Sequence, residues 1–325
     1  MTVRILQGDC RAVLTTLDAE SVQCVVTSPP YFGLRSYLPE GHADKPLEIG
    51  LEQTPEGYVA AIVAVFREVW RVLRKDGTVW LNLGDSYNAY NGNRGPGAGI
   101  NKRHDENMPR IPQGAGLTVP NLKNKDRLMI PARVAIALQV DGWYLRDEIV
   151  WHKPRPMPSP VRDRTVNAHE MVYLLTKAPR YFYDWEAIEE PSSYPGQIRK
   201  AGKAFRDLDA AGGNANAVRK RPSADREIVV RDTRRARSVW SICPSPYTDS
   251  HFATMPQDLA ERCIRAGSKQ GDTILDPFGG AGTTGLVADR LGRNGILIDL
   301  RSDYVDMQRR RVVDDAGMFA QVVAQ

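Results

Sequence analysis

The sequence predicts an α/β fold, a doubly wound and mostly parallel sheet carrying a basic insertion. Three observations predict it. Short apolar segments alternate with amphipathic ones at both ends of the chain, a glycine triplet stands between an apolar segment and an amphipathic one near the C-terminus, and positive charge gathers in one internal stretch. Alternating strand and helix patterns are what a parallel sheet covered by helices looks like in one dimension.

The elements follow in order. "VRIL" is a short apolar strand, "CRAVLTTL" a short helix and "VQCVV" a second strand. Thr54-Pro55-Glu56 then offers an N-cap, a proline at the first helical position and an acid in the first turn. Val59, Ile62, Val63, Phe66, Val69, Trp70 and Leu73 recur at helical spacing, with Arg71, Arg74 and Lys75 where a last turn favours cations and Gly77 just beyond. "TVWLNLG" reads as the next strand. Residues 88–127 break the pattern, with six glycines between Gly92 and Gly116 and seven Lys/Arg against three acids, and predict a mobile basic loop. Order resumes with a helix at "PARVAIALQV", a strand at "WYLRDEIVW", the proline-rich "KPRPMPSPVRDR", and paired strands at "HEMVYLLT" and "RYFYD". After a basic segment come a helix near 256–267, the strand "DTILD", a helix from Thr283, the strand "GILID" and a last helix. The layout is one domain in two parts, 1–187 and 238–325, interrupted by a basic insertion at 188–237.

Composition narrows the function. Of the 325 residues 42% are hydrophobic and 26% charged, enough apolar material for a core. No run approaches the roughly eighteen apolar residues of a membrane span, and "MTVRILQGDC" has no signal-peptide core, so a cytoplasmic protein without membrane attachment is expected. Cys10, Cys24, Cys243 and Cys263 show no CxxC spacing and the five histidines no HxxxH pair, so reduced thiols and no metal site are expected. From Arg199 to Arg237 twelve Lys/Arg stand against five Asp/Glu, a local +7 in a chain of net +5, which leaves −2 elsewhere. That field suits a polyanion, although a solvated loop carries the same signature.

Two stretches carry chemistry. In "DTILDPFGGAGTTGLVADRLG", Gly280-x-Gly282-x-x-Gly285 joins a strand to a helix, and Asp299 ends the next strand nineteen residues after Gly280. Such glycines let a ligand lie on backbone N–H groups at a helix N-terminus, and the acid accepts ribose hydroxyls. Asp276-Pro277-Phe278 separates the strand from the first glycine; a carboxylate there repels a pyrophosphate and suits a cationic, methionine-like end. S-adenosylmethionine is therefore favoured and a nicotinamide-dependent oxidoreductase is the weaker reading. The other stretch is "TSPPYFGLRSY", where two prolines after a strand remove two donors and fix two φ angles, making a stiff extended arm.

Together, "DPFGGAGTTG" and "TSPPY" resemble the amino-methylating DNA methyltransferases, which modify cytosine N4 or adenine N6. In that family the first block is a cofactor motif, here Phe278, Gly280 and Gly282, and the second a catalytic tetrapeptide, here Ser28-Pro29-Pro30-Tyr31. The catalytic block comes first, as in the circularly permuted β group. The resemblance implies a Rossmann-like, seven-stranded methyltransferase sheet, with S-adenosylmethionine as cofactor. It assigns to the cofactor site Asp9 of the "GD" pair, Asp276, Phe278, Gly280, Gly282, Thr283, Thr284 and Asp299, and places Phe252, Thr254 and Pro256 near the methionine end. Double-stranded DNA is the implied partner, with the basic insertion as target-recognition region; a homodimer and a cognate restriction endonuclease stay open. Serine at the first catalytic position and "PMPSPVRDR" are similar to the N4 branch, so cytosine N4 is favoured and adenine N6 is the alternative. RNA, a protein glutamine, or binding without catalysis are further rivals.

The tetrapeptide then has a chemical reading. An exocyclic base amine is a poor nucleophile because its lone pair is delocalised into the ring. Two acceptors on its two hydrogens, the Ser28 hydroxyl oxygen and the Pro29 carbonyl, turn it towards sp³ geometry, and Tyr31 stacks on the flipped base. Proline rigidity preorganises those acceptors. His152 and Lys153 in "WHKP" could contact phosphate or pack beside the pocket, and Arg234, Arg235 and Arg237 could bind phosphate or read guanine. Lys153 and the three arginines are the candidate DNA-binding residues.

Overall fold

The computed structural model describes residues 1–34, 36–88, 119, 122–156, 158–159, 161–200, 227–244, 254–317 and 321–324. Most of the basic loop expected at 88–127, the middle of the insertion, and Phe252 lie outside them. Two compact units result, one of Met1–Asp184 with Ser238–Gln325 and the other of Trp185–Arg237.

The first unit begins β1 (Thr2–Gln7), α1 (Cys10–Thr15), β2 (Val22–Thr27), α2 (Pro55–Val72), β3 (Leu73–Leu83), α3 (Ile130–Val140), β4 (Tyr144–His152) and β5 (His169–Thr176). The second unit holds two small antiparallel pairs, β6 (Glu190–Pro191) with β9 (Thr233–Arg234) and β7 (Ile198–Lys200) with β8 (Glu227–Val229). The first unit resumes with β10 (Val239–Ser241), α4 (Gln257–Gly267), β11 (Thr273–Asp276), α5 (Thr283–Arg290), β12 (Asn294–Asp299), α6 (Ser302–Ala316) and β13 (Gln321–Ala324). No helix among the described residues is long and apolar enough to cross a membrane.

The main sheet has the order β10-β4-β5-β3-β2-β11-β12-β1-β13. Every neighbouring pair is parallel except those made by β5, which runs against both β3 and β4. Nine described strands stand where seven were expected: β10 and β13, three and four residues long, extend the two edges and are too short to show a periodicity. "RYFYD" is no strand. Both edges of β5 are already bonded, so this segment instead anchors through Phe182 N to Asp76 O and Asp184 N to Ala266 O, both 2.9 Å, while Tyr183 stacks on Trp80.

α2 starts as its caps dictate: Thr54 Oγ1 accepts from Gly57 N at 3.1 Å, and Pro55 opens the first turn. Tyr58, Ile62, Val65, Phe66, Val69 and Val72 form its buried face, each apolar side chain contributing on the order of 1.5–3 kcal/mol. The helix ends at Val72 with Arg71 in its last turn as expected, while Arg74 and Lys75 lie beyond it. Leu73, fully buried, pairs with Val22 and already belongs to β3, and 74–77 bulge out before pairing resumes at Cys24 with Thr78. Gly77 serves that bulge, since a Cβ there would lie 2.7 Å from Leu73 Cδ1 and 2.9 Å from Gln23 O. One continuous core joins α1, α2 and α3 to one face of the sheet. α4 packs on β2, β3 and α5, and α6 on β1, β12 and α5.

The order of β2, β11 and β12 positions the site. β11 comes from the last quarter of the chain yet inserts between β2 and β12, parallel to both. Connections leave β2 towards β3 and β11 towards β12, so a crevice opens at the carboxyl ends of these strands, where open α/β sheets bind ligands.

Candidate active site

A cavity of about 690 Å³ lies at that crevice, and its wall includes both Ser28-Pro29-Pro30-Tyr31 and the 276–284 loop. Much of the wall comes from strand ends: Gly8 and Asp9 after β1, Ser28 after β2, Asn82 and Gly84 at the end of β3, Trp151 and Lys153 at the end of β4, Asp276 from β11 and Asp299 from β12. Glu170 joins them because β5 is antiparallel and delivers its first residues where the others deliver their last.

The two stretches are bonded to each other. Thr27, the residue before Ser28, donates its hydroxyl to Asp276 Oδ1 at 2.6 Å. Asp276 Oδ2 accepts from Thr284 Oγ1 at 2.8 Å, and Oδ1 also accepts from Phe278 N at 3.1 Å. Asp276 is only 4% exposed, and burial pushes its pKa up to about 6 although these three donors pull it down. The carboxylate assigned to the cofactor is thus also a rivet between the two motifs. Thr284 is turned into the protein, contacting Val26 O at 3.2 Å, and Thr283 Oγ1 accepts from Arg311 Nη1 at 3.0 Å.

At the Ser28 turn, Tyr31 OH donates to Glu170 Oε2 at 2.6 Å and lies 3.2 Å from Ser28 Oγ. Asn82 Nδ2 reaches Tyr31 OH at 2.7 Å, Glu170 Oε2 at 3.0 Å and Ser28 Oγ at 3.3 Å. Lys153 pairs with Glu170 Oε1 and sits over the Trp151 ring, 4.4 Å from its centroid. Burial first, then the Glu170 charge, raises the Tyr31 phenol well above its ordinary value, so it keeps its proton. Beneath the turn, the buried Tyr58 hydroxyl donates to Pro30 O at 2.9 Å and fixes the direction of the Pro-Pro backbone.

Gly84 gives Tyr31 its room. A Cβ at Gly84 would stand 2.5 Å from Tyr31 Cε2 and 2.8 Å from Cδ2. Gly84→Ala is therefore expected to push the ring aside and slow turnover about tenfold or more, while overpacking at this rim costs about 1–3 kcal/mol. Methyl incorporation beside a melting curve checks this; unchanged turnover would mean the ring position is immaterial.

On the other side, Gly280 and Gly282 adopt φ of +51° and +78°, and a side chain at Gly282 would meet Gln308 at 3.1 Å. Gln308, fully buried, donates to Gly280 O at 3.0 Å and braces the loop. Asp299 accepts from Gly280 N at 2.8 Å and from Arg301 N at 3.0 Å, and burial pushes its pKa up to about 7. Asp9 caps α1 through Arg11 N at 3.0 Å and pairs with the Arg11 guanidinium. Phe278 packs against the main core at the cavity edge. Thr254 and Met255 line the cavity and Pro256 is buried beside them in sequence.

The candidate DNA contacts divide. Lys153 belongs to the cavity wall through Glu170, and His152 Nδ1 meets Ser241 Oγ at 3.0 Å across the β4–β10 pair. In the second unit Arg234 and Arg237 lie 3.8 and 3.6 Å from Glu190, Arg234 also donates to Ser193, and Arg235 is exposed over the Trp185 ring. Sequence reasoning missed Thr27, Tyr58, Asn82, Gly84 and Glu170. "NLGD" closing a strand was a usable signal for Asn82 and Gly84; Glu170 had none, because its place depends on the direction of β5.

Comparison with known proteins agrees with this arrangement. A family model described as DNA methylase matches residues 22–310. The type II methyltransferase M.SmaI of Serratia marcescens is 38% identical over 310 residues, covering 95% of this chain and 90% of that protein. M.XycI of Xanthomonas campestris pv. cyanopsidis is 41% identical over 308 residues, covering 95% and 87%. Among solved structures, the PvuII DNA methyltransferase, cytosine-N4-specific, superposes with a TM-score of 0.61 at 19% identity, over 99% of this chain and 96% of that one. A putative DNA modification methylase of Thermus thermophilus, complexed with S-adenosyl-L-methionine, gives 0.59 at 23%, over 99% and 97%. At those identities the structures speak for the fold, whereas the family match and the relatives, joined to a cavity that brings both motifs together, identify the chain as a member of the amino-methylating (N6/N4) DNA methylase family.

Proposed function

We propose that the protein is a site-specific DNA methyltransferase that transfers a methyl group from S-adenosylmethionine to the exocyclic amine of a flipped base, with cytosine N4 as its target. The observation that carries this reading is the shared cavity of the Ser28 turn and the glycine loop, riveted by Thr27 and Asp276. The residues present fit the cofactor. Positive-φ glycines keep the loop free of side chains, Ile298, Leu300 and Phe278 offer apolar wall, and Asp299 stands at the end of β12 as a diol acceptor. When bound, S-adenosylmethionine supplies a methyl carbon made electrophilic by the sulfonium.

The protein's own part is positioning. Ser28 Oγ and the Pro29 carbonyl accept the two amine hydrogens and localise the lone pair, while the Tyr31 ring lies under the base. The basic stretch of the second unit, with Arg234, Arg235 and Arg237, takes the DNA. Serine at position 28 and the "PMPSPVRDR" segment favour cytosine N4 over adenine N6. The type II names of the relatives favour a restriction endonuclease acting on the same sequence. Digesting methylated DNA to nucleosides and weighing them tests the reading: N4-methylcytosine is expected, N6-methyladenine alone would overturn the target, and no methylated nucleoside would overturn the activity.

Asp299 adds a pH dependence. In the ligand-free protein its folded pKa of about 7 is raised by burial, so on its account stability is highest at low pH and is lost as pH rises from the ordinary carboxylate range through about 7. Cofactor affinity runs the other way, because ribose hydroxyls need the ionised acceptor. Between pH 8 and pH 6 the dissociation constant should rise about tenfold or more in the parent and stay weak, changing no more than about twofold, in Asp299→Asn, where only Asp276 still titrates. Calorimetry at the two pH values decides; a parent curve as flat as the variant's would remove Asp299 from the cofactor site.

A further inference from the structure

We propose that Glu170, acting through Tyr31, fixes the Ser28 hydroxyl as a pure acceptor towards the target amine and takes up, at the far end of the same chain of hydrogen bonds, the proton that the amine releases. The inference rests on the function proposed above and adds a residue which neither motif contains.

Hydrogen-bond polarity carries the argument. An ionised carboxylate only accepts, so at 2.6 Å from Glu170 Oε2 the single hydrogen of Tyr31 is committed to it. The Tyr31 oxygen then has only lone pairs to offer. Ser28 Oγ, 3.2 Å away, must donate to it, and Asn82 Nδ2 donates to it at 2.7 Å. Asn82 cannot be turned the other way, since its carbonyl oxygen would then face the carboxylate, and its Nδ2 also donates to Glu170 Oε2 at 3.0 Å. With its only hydrogen spent on Tyr31, Ser28 presents lone pairs to the cavity. A serine hydroxyl is otherwise free to donate or accept, and a Ser28 that donated to the amine nitrogen would consume the very lone pair that must attack.

Lys153 completes the device by holding Glu170 Oε1, which leaves Oε2 to Tyr31 and Asn82. The Glu170 side chain is 14% exposed, wet enough to exchange a proton with solvent afterwards.

The same chain conducts the proton. As the nitrogen–carbon bond forms and the carbon–sulfur bond breaks with its electrons left on sulfur, one positive charge arrives on the amine nitrogen. The amine gives a proton to Ser28 Oγ, Ser28 gives its own to the Tyr31 oxygen, and Tyr31 gives its own to Glu170 Oε2. Ser28 and Tyr31 end as they began, the methylated amine is neutral, and Glu170 has become a carboxylic acid. One proton and one charge have moved, and no further reactant is needed.

The test compares Glu170→Gln, Tyr31→Phe and the double variant, in single-turnover transfer from labelled S-adenosylmethionine to unmethylated plasmid DNA at saturation. Each single change should slow the chemical step about 100-fold, the double should be no slower than the slower single, and affinities for S-adenosylmethionine and DNA should stay within about threefold. A Glu170→Gln rate within about threefold of the parent, penalties that multiply in the double variant, or a loss that tracks cofactor affinity would each overturn the proposal. Should Glu170→Gln not fold, Tyr31→Phe decides alone, because it removes only the oxygen linking Ser28 to Glu170. Failure of the underlying function looks different: the parent itself would then leave no N-methylated nucleoside.

Discussion

Alanine at position 28 is expected to slow methyl transfer about 100- to 1000-fold while leaving the fold and cofactor affinity nearly intact. The size follows from the role proposed for the hydroxyl: as one of two preorganised acceptors on the amine, its loss would let the lone pair fall back into ring conjugation. The fold survives because the neighbours of Ser28 keep other partners. Tyr31 OH stays on Glu170 Oε2 at 2.6 Å, and Asn82 Nδ2 stays on Tyr31 OH at 2.7 Å and on Glu170 Oε2. The stability change should stay within about 1 kcal/mol, the worth of one hydrogen bond. Rapid-quench methyl incorporation, a melting curve and cofactor calorimetry together check it. Turnover within about threefold of the parent would show that the Pro29 carbonyl alone suffices and that Ser28 is a spacer.

Much of this architecture was legible in one dimension because it is local. Thr54-Pro55-Glu56 starts α2 where its caps say, and "DTILD", "GILID" and "VQCVV" are strands because short apolar runs between turn residues have few other ways to be buried. What escaped was non-local. β10 and β13 exist only as additions to edges already laid down by β4 and β1, and the direction of β5 is decided by its two neighbours. The same divide runs through the cavity. Ser28-Pro29-Pro30-Tyr31 and the 276–284 glycine loop announce themselves by chemistry within a few residues. Tyr58 reads as an ordinary core position of an amphipathic helix, and the Thr27–Asp276 bond spans 249 residues, a distance no spacing rule reaches. Lys153 illustrates the intermediate case: its sequence context allowed phosphate or pocket, and only the β4–β5 pairing, which sets Trp151 opposite Glu170, brings the acid within reach.

Asp276 is the residue where fold and chemistry should come apart most clearly. Asp276→Ala strips the partner from the buried Thr27 Oγ1 and the part-buried Phe278 N, while Thr284 Oγ1 can fall back on Val26 O at 3.2 Å. Two unsatisfied donors cost about 2–5 kcal/mol, and with the rivet gone both the Ser28 turn and the cofactor loop lose their common anchor. Asp276→Asn should behave in the opposite sense. Its Oδ1 keeps Thr27 and Phe278, its Nδ2 can donate to a Thr284 hydroxyl turned towards Val26, and no charge is buried. Because burial raises the folded pKa of Asp276 from 3.8 to about 6, the parent loses stability on this group's account as pH rises across that interval. The asparagine variant should therefore match the parent near pH 4 and exceed it by about 2–3 kcal/mol at pH 8. Its deficit should appear in binding: without the carboxylate, affinity for the sulfonium of S-adenosylmethionine falls about tenfold, while that for the neutral thioether S-adenosylhomocysteine is unchanged. Melting curves at the two pH values and calorimetry with the two ligands separate the roles. If alanine and asparagine destabilise alike, charge and not hydrogen bonding holds the two motifs together; if both ligands weaken alike, the carboxylate braces the loop without sensing the sulfonium.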